Sequence, residues 1–121
     1  MKTFHELGLN PEIVQALDAL GFETPTPIQE QAIPFLLETN TDLVALAQTG
    51  TGKTAAFGLP LLQLIQIEKT AIQAVVLVPT RELGHQIHSN LEQFSKNIEG
   101  ISIAATCGGI PIKPQIERLK T

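Results

Sequence analysis

Lys53 and Thr54 follow two glycines in the run Ala47-Gln48-Thr49-Gly50-Thr51-Gly52-Lys53-Thr54. These residue types in this order suit one task, the holding of a polyphosphate. Glycine at 50 and 52 lets the backbone take positive φ, so that consecutive N–H groups can converge on one oxyanion. Lys53 adds a mobile cation for the terminal phosphates, and the Thr54 hydroxyl suits a Mg²⁺ ligand position. The implied ligand is a nucleoside triphosphate with magnesium. The general pattern G-x-x-x-x-G-K-[ST] asks for Gly at 47, where this chain has Ala47, which still permits a tight turn. Through Ala55 the run also satisfies G-x-G-x-x-A, a dinucleotide fingerprint. Lys-Thr directly after Gly52, and no acidic residue ending a second strand to hold a ribose, favour the triphosphate.

Gln29 is the second candidate. It falls three residues after Thr26 in Gly21-Phe22-Glu23-Thr24-Pro25-Thr26-Pro27-Ile28-Gln29, the spacing of a capping box in which its carboxamide folds back on the Thr26 N–H. A carboxamide is also what the N6 and N7 edge of adenine requires for a bidentate pair. Phe4 or Phe22 could stack on such a base. Both readings of Gln29 stay open on spacing alone.

A third set lies further along. Arg81, in Pro79-Thr80-Arg81-Glu82-Leu83, stands at the start of a helix and could hold a nucleic-acid phosphate together with the first N–H groups of that helix. The plainer reading is a solvated Arg paired with Glu82 or Glu117. Gly108-Gly109 either lets backbone approach a ligand closely or only turns the chain. His85 and His88 lie one helical turn apart, but no Cys, Asp or third His accompanies them, so a solvated helix face is expected rather than a metal site. Cys107 has no His or Asn at a spacing that would make it a nucleophile.

These residues need elements to position them. Residues 42–47 form an apolar, β-rich run that empties into the glycine loop, and the loop opens a helix carrying Phe57, Leu61, Leu62, Leu64 and Ile65, bent or broken near Gly58-Leu59-Pro60. Residues 71–78, apolar throughout, fit a parallel strand covered on both faces, so strand, helix and strand make a crossover unit. Thr80 caps a helix with Leu83, Ile87, Leu91 and Phe94 on its core face, running to Gly100. Residues 101–105 make a third strand, and Pro111 starts a helix with Ile112, Ile116 and Leu119 as its stripe. Upstream, Asn10 and Pro11 open a helix with Ile13, Val14, Leu17 and Leu20 on one face, stopped by Gly21. Thr26 and Pro27 open the next, which Pro34 should bend.

At 121 residues, 43% hydrophobic and 17% charged, the chain has the composition of one ordinary globular domain at most. No apolar run approaches the roughly 20 residues that span a bilayer, and Glu6, Asn10 and Glu12 interrupt any signal-peptide core, so a cytoplasmic location with no membrane partner is the expectation. One cysteine permits no internal disulfide. A net charge of −4 argues against binding nucleic acid by bulk electrostatics, so any such contact is local.

Taken together the chain resembles the N-terminal part of a bacterial-type DEAD-box ATP-dependent RNA helicase. The stretch from Gly21 to Gln29 resembles that family's Q motif, with Phe4 at the place of its isolated upstream aromatic. Ala47 to Thr54 matches motif I, in which Ala is usual at the first position. Pro79 to Leu83 matches motif Ia, with Gly84 where Ala is commoner, and Gly108-Gly109 matches the glycine doublet. The resemblance implies a P-loop NTPase, RecA-like fold: a parallel α/β sheet with flanking helices, here about three strands. Residues 1–40 would carry adenine recognition and residues 41–121 the first part of the ATP-binding domain. It implies that Phe4, Phe22, Thr24 and Gln29 meet the adenine side of ATP. Gln48, Thr49, Gly50, Thr51, Gly52, Lys53, Thr54 and Ala55 would take the polyphosphate, with Thr54 on Mg²⁺ and Lys53 and Thr54 serving catalysis. Pro79, Thr80, Arg81, Glu82, Gly108 and Gly109 would touch the RNA sugar-phosphate backbone without regard to sequence.

Hydrolysis also needs a carboxylate on Mg²⁺ and another to place the water. The only aspartates are Asp18 and Asp42, and no Asp-Glu-Ala-Asp, Ser-Ala-Thr or second-domain arginine finger occurs. The expectation is therefore a helicase fragment lacking later strands and a C-terminal RecA-like domain in cis. It should bind nucleotide weakly, hydrolyse none and tend to aggregate. A non-catalytic nucleotide-binding or interaction module is the alternative. A small nucleotide kinase is disfavoured because only Arg81 and Arg118 could clamp phosphates.

Overall fold

A computed structural model describes residues 2–120. After a 3₁₀ turn at His5–Leu7 come five helices: α1 Pro11–Ala19, α2 Pro27–Glu38, α3 Lys53–Leu64, α4 Arg81–Phe94 and α5 Ile112–Leu119. Their starts follow the local chemistry. Asn10 and Thr26 are extended residues each followed by a proline whose fixed φ suits the first helical position. Thr80 accepts a hydrogen bond from the Leu83 N–H at 3.2 Å and so caps α4.

Helix α3 is the centre of the packing, with α2 against one side and α4 against another, while α1 also lies on α4. One core unites the chain, from Phe4, Leu9 and Ile13 through Ile33 and Leu59 to Ile87, Leu91 and Phe94. Each fully buried aliphatic side chain in it, such as Ile33 or Leu59, contributes about 1.5–3 kcal/mol. Residues 1–40 and 41–121 therefore share a single interior, whatever difference of role divides them. Gln63 reinforces the join: its Oε1 accepts the Asn10 N–H at 2.7 Å and its Nε2 donates to the Gly8 carbonyl at 2.8 Å.

Several expectations need correction. Of the break or bend expected near Gly58-Leu59-Pro60, the break does not occur: α3 runs through all three residues, with Pro60 buried inside it. The α4 helix ends at Phe94, well before Gly100. There the Ser95 hydroxyl donates to the Leu91 carbonyl at 2.8 Å and to that of Glu92 at 3.3 Å, satisfying acceptors of the last turn. The α5 stripe of Ile112, Ile116 and Leu119 is exposed, not buried.

The largest correction concerns the sheet. Among the described residues no strand forms, and no backbone hydrogen bond joins segments 42–47, 71–78 and 101–105 to one another. Val76 and Val78 pack on the core while Val75 and Leu77 are exposed, so the second segment keeps the period of two of a pleated strand but is covered on one face, not both. Segments 71–76 and 100–108 both line an open groove of about 1100 Å³ instead of pairing across it.

Candidate nucleotide and nucleic-acid interface

The glycine loop is built as a cradle. Gly50 and Gly52 have φ of 79° and 82°, the left-handed region that side chains resist, and nothing lies within 4 Å of where a Cβ on Gly50 would stand. Gly52 is the N-cap of α3 and offers no side-chain cap, and the first turn carries no acidic residue. Residues 49–50 form a turn, and among the described residues the backbone N–H groups of residues 52–55 meet no protein acceptor. The Thr51 hydroxyl donates to the Gln48 carbonyl at 2.5 Å and tightens the loop. Lys53 is exposed and pairs with no described carboxylate. A helix N-terminus, unclaimed amides and one unpaired ammonium group at a glycine turn form a site for an anion with several oxygens.

Gln29 joins this loop to α2. It is 1% exposed, and its Oε1 accepts the Thr26 N–H at 3.0 Å while its Nε2 donates to the Gly52 carbonyl at 3.2 Å. A Cβ on Gly52 would run into that carboxamide, so glycine is required there for space as well as for φ. The capping interaction anticipated for Gln29 is thus made. One lone pair on Oε1 and one N–H on Nε2 remain of the four positions that a carboxamide offers. The Thr26 side chain in turn faces the Gln29 backbone N–H, the other half of the capping box.

Phe4 departs from expectation. Its ring is 3% exposed and stands edge-on to Phe22 at 6.2 Å, and Phe22 meets Phe94 edge-on at 5.8 Å. An aromatic among Leu7, Leu9 and Phe22 gains more from burial than from facing water. In this arrangement Phe4 serves the core, and its face is not open to a base. Phe22 is half-buried, and Thr24 is exposed at the start of the turn into α2.

The downstream residues come together. Arg81 donates from Nη2 to the Gly108 carbonyl at 2.6 Å, which links the start of α4 to the glycine doublet and replaces the anticipated pairing with Glu82 or Glu117. Gly109 has φ of 81°. His88 is not merely solvated: its Nε2 lies 3.1 Å from the Ile103 carbonyl and 3.4 Å from Glu92 Oε1. Among the described residues no cluster of His, Cys, Asp or Glu could hold a metal ion by itself. Gln63 and Gln115 are structural residues that spacing did not single out. The only trace of Gln63 was a polar residue inside the apolar run Leu61-Leu62-Gln63-Leu64-Ile65.

Comparison with known proteins bears on the family and the fold. A family model described as DEAD/DEAH box helicase matches residues 26–121. The chain is 43% identical over 120 residues to the DEAD-box ATP-dependent RNA helicase CshA of Geobacillus kaustophilus, covering 99% of this chain and 25% of that protein. A crystal structure of a DEAD box protein from Methanococcus jannaschii superimposes with a TM-score of 0.92 at 42% identity, over 98% of this chain and 32% of that one. The RNA-helicase Prp28 from Chaetomium thermophilum, bound to ADP, gives 0.87 at 38% identity, over 99% of this chain and 30% of that one. The chain thus spans about a quarter of the length of the Geobacillus kaustophilus protein. No described helix is long and apolar enough to cross a membrane.

Proposed function

The chain belongs to the DEAD/DEAH box helicase family, and from that membership we propose that it forms the nucleotide-gripping part of an ATP-dependent RNA helicase. The observation that supports the reading is the joint between Gln29 and Gly52, in which the Gln29 carboxamide lies directly against the glycine loop at the start of α3. Residues 1–40 hold the base side and residues 41–121 the polyphosphate. The residues fit ATP: Gln48 to Ala55 supply N–H groups to its oxygens, Lys53 neutralises the terminal phosphates, and Thr24 and Gln29 border the base. Mg²⁺ would enter with the nucleotide: the Thr54 hydroxyl would be the one protein donor offered here, with phosphate oxygens and water around it. Bound ATP would furnish the phosphoryl group whose hydrolysis drives RNA remodelling in the whole helicase.

RNA runs along Pro79 to Glu82 and Gly108-Gly109, touched through its sugar-phosphate backbone. In the whole protein the segments 42–47, 71–78 and 101–105 enter a RecA-like parallel sheet, a second RecA-like domain closes on the nucleotide, and the setting is the cytoplasm. The chain alone binds without hydrolysing, since its only aspartates are Asp18, in α1, and Asp42, ahead of the loop, and no Asp-Glu-Ala-Asp run is present to hold Mg²⁺ and orient water.

Isothermal titration of residues 1–121 with ATP and GTP in Mg²⁺ tests the reading. ATP binds weakly, and Lys53→Ala, which removes a charged donor, weakens it by roughly 10-fold to 100-fold. Equal affinity of the wild-type chain and the variant for ATP would overturn the assignment.

A further inference from the structure

Two side chains on different helices grip the turn of residues 107–111. Arg81, the first residue of α4, donates to the Gly108 carbonyl at 2.6 Å. Gln115, on α5, accepts the Cys107 N–H at 2.9 Å through Oε1 and donates from Nε2 to the Pro111 carbonyl at 3.1 Å. Both ends and the middle of the turn are therefore held by side chains. The main chain holds residues 101–111 only weakly: residues 108–109 form a turn, and no well-formed backbone–backbone hydrogen bond supports it among the described residues. Gly109 fits the clamp closely: it sits at φ 81°, and a Cβ there would stand 2.6 Å from Arg81 Nη2.

We propose that Arg81 and Gln115 are positioning residues that preorganise the Gly108-Gly109 backbone for an RNA strand, and that Arg81 acts through this turn rather than as a ligand to a phosphate. The proposal rests on the RNA reading above. A charge-assisted hydrogen bond to a carbonyl commits the planar guanidinium to one orientation. A turn ordered before binding loses less entropy when the strand arrives. A neutral residue, Gln115, must then matter to RNA affinity as much as the cationic Arg81 does, which a phosphate-ligand role for Arg81 does not require.

The test uses the full chain with Arg81→Gln, Gln115→Ala and the double variant, read in two ways. Amide hydrogen exchange is followed at Cys107, whose N–H is held by Gln115 and is not touched by Arg81; Arg81→Gln speeds it by about tenfold, because loosening one side of the turn loosens the other. Anisotropy of a fluorescein-labelled oligouridylate is measured across a salt series. Both variants weaken binding by a similar factor, roughly threefold to tenfold, the double variant loses little more than either, and the slope of log K against log salt moves by less than about 0.3. A slope shallower by about 0.7 for Arg81→Gln, with wild-type affinity for Gln115→Ala, identifies a phosphate contact and overturns the proposal. Unchanged exchange at Cys107 in Arg81→Gln also overturns it. A wild-type chain that binds no oligouridylate removes the RNA reading itself, and the exchange rates then decide separately whether the clamp orders the turn.

Discussion

Gln29 makes two hydrogen bonds while 1% exposed, so its removal leaves a partly buried N–H at Thr26 and a partly buried carbonyl at Gly52 without that partner. Leaving such groups without partners costs about 1–3 kcal/mol. Gln29→Ala should lower the melting temperature by roughly 5–10 °C, whereas Lys53→Ala, on an exposed side chain without a partner, should leave it within about 1 °C. Differential scanning calorimetry of the two variants distinguishes a residue that holds the loop from one that meets only ligand. Gln29→Glu sharpens the point: it keeps the acceptor for Thr26 and loses the donor to Gly52. If Gln29 reads adenine, this variant abolishes any preference for ATP over GTP in competition titrations; an undiminished preference confines Gln29 to capping. At this scale the sequence was informative where chemistry is local. Gly50 to Thr54 and Thr80 could be assigned from neighbours in the chain. Phe4 could not, since an aromatic four residues from the start looks the same whether it stacks on a ligand or on Phe22. Gln63 was illegible because its partners, Gly8 and Asn10, lie 55 and 53 residues away.

Helix α3 carries the loop at one end and the Gln63 clamp at the other, so its seat on α4 fixes the site's frame. That seat depends on Gly58: a Cβ there would come within 2.8 Å of Leu91 Cδ2. Two effects of similar size oppose one another in Gly58→Ala. Helix propensity favours alanine by about 1 kcal/mol, and displacing Leu91 from its rotamer costs about 0.5–1.5 kcal/mol. In the wild-type background the substitution should be nearly neutral. In a Leu91→Ala background the opposition vanishes and it should stabilise by about 1 kcal/mol, measured by urea unfolding as a double-mutant cycle. Additive effects would mean that the two helices do not meet there. The helices themselves were legible, since proline after an extended cap and apolar residues on one face are local signals. Their ends were less so, because Ser95 terminates α4 through a side-chain bond that periodicity does not register. The segments between helices were recognised as β-like, yet their pairing was not realised: partners in a sheet come from distant chain, and these three do not bond to each other.

Over the whole molecule the unpaired segments leave an apolar surface. Val44, Leu46 and Leu77 are 88%, 92% and 90% exposed, and Val75 is 73% exposed. Unpaired backbone beside exposed aliphatic side chains invites edge-to-edge association. A net charge of −4 over 121 residues gives only modest repulsion against it. The helical core does not depend on these side chains, so their replacement should separate association from stability. Val75→Lys with Leu77→Lys should change the unfolding free energy by no more than about 0.5 kcal/mol. The same pair should raise the concentration at which light scattering first detects oligomers by roughly tenfold, because a lysine pair removes apolar contact and adds charge where copies would meet. If the double variant associates at the wild-type concentration, the bare face of segment 71–78 is not the adhesive surface. The exposed stripe of α5, Ile112, Ile116 and Leu119, would then be the surface to alter.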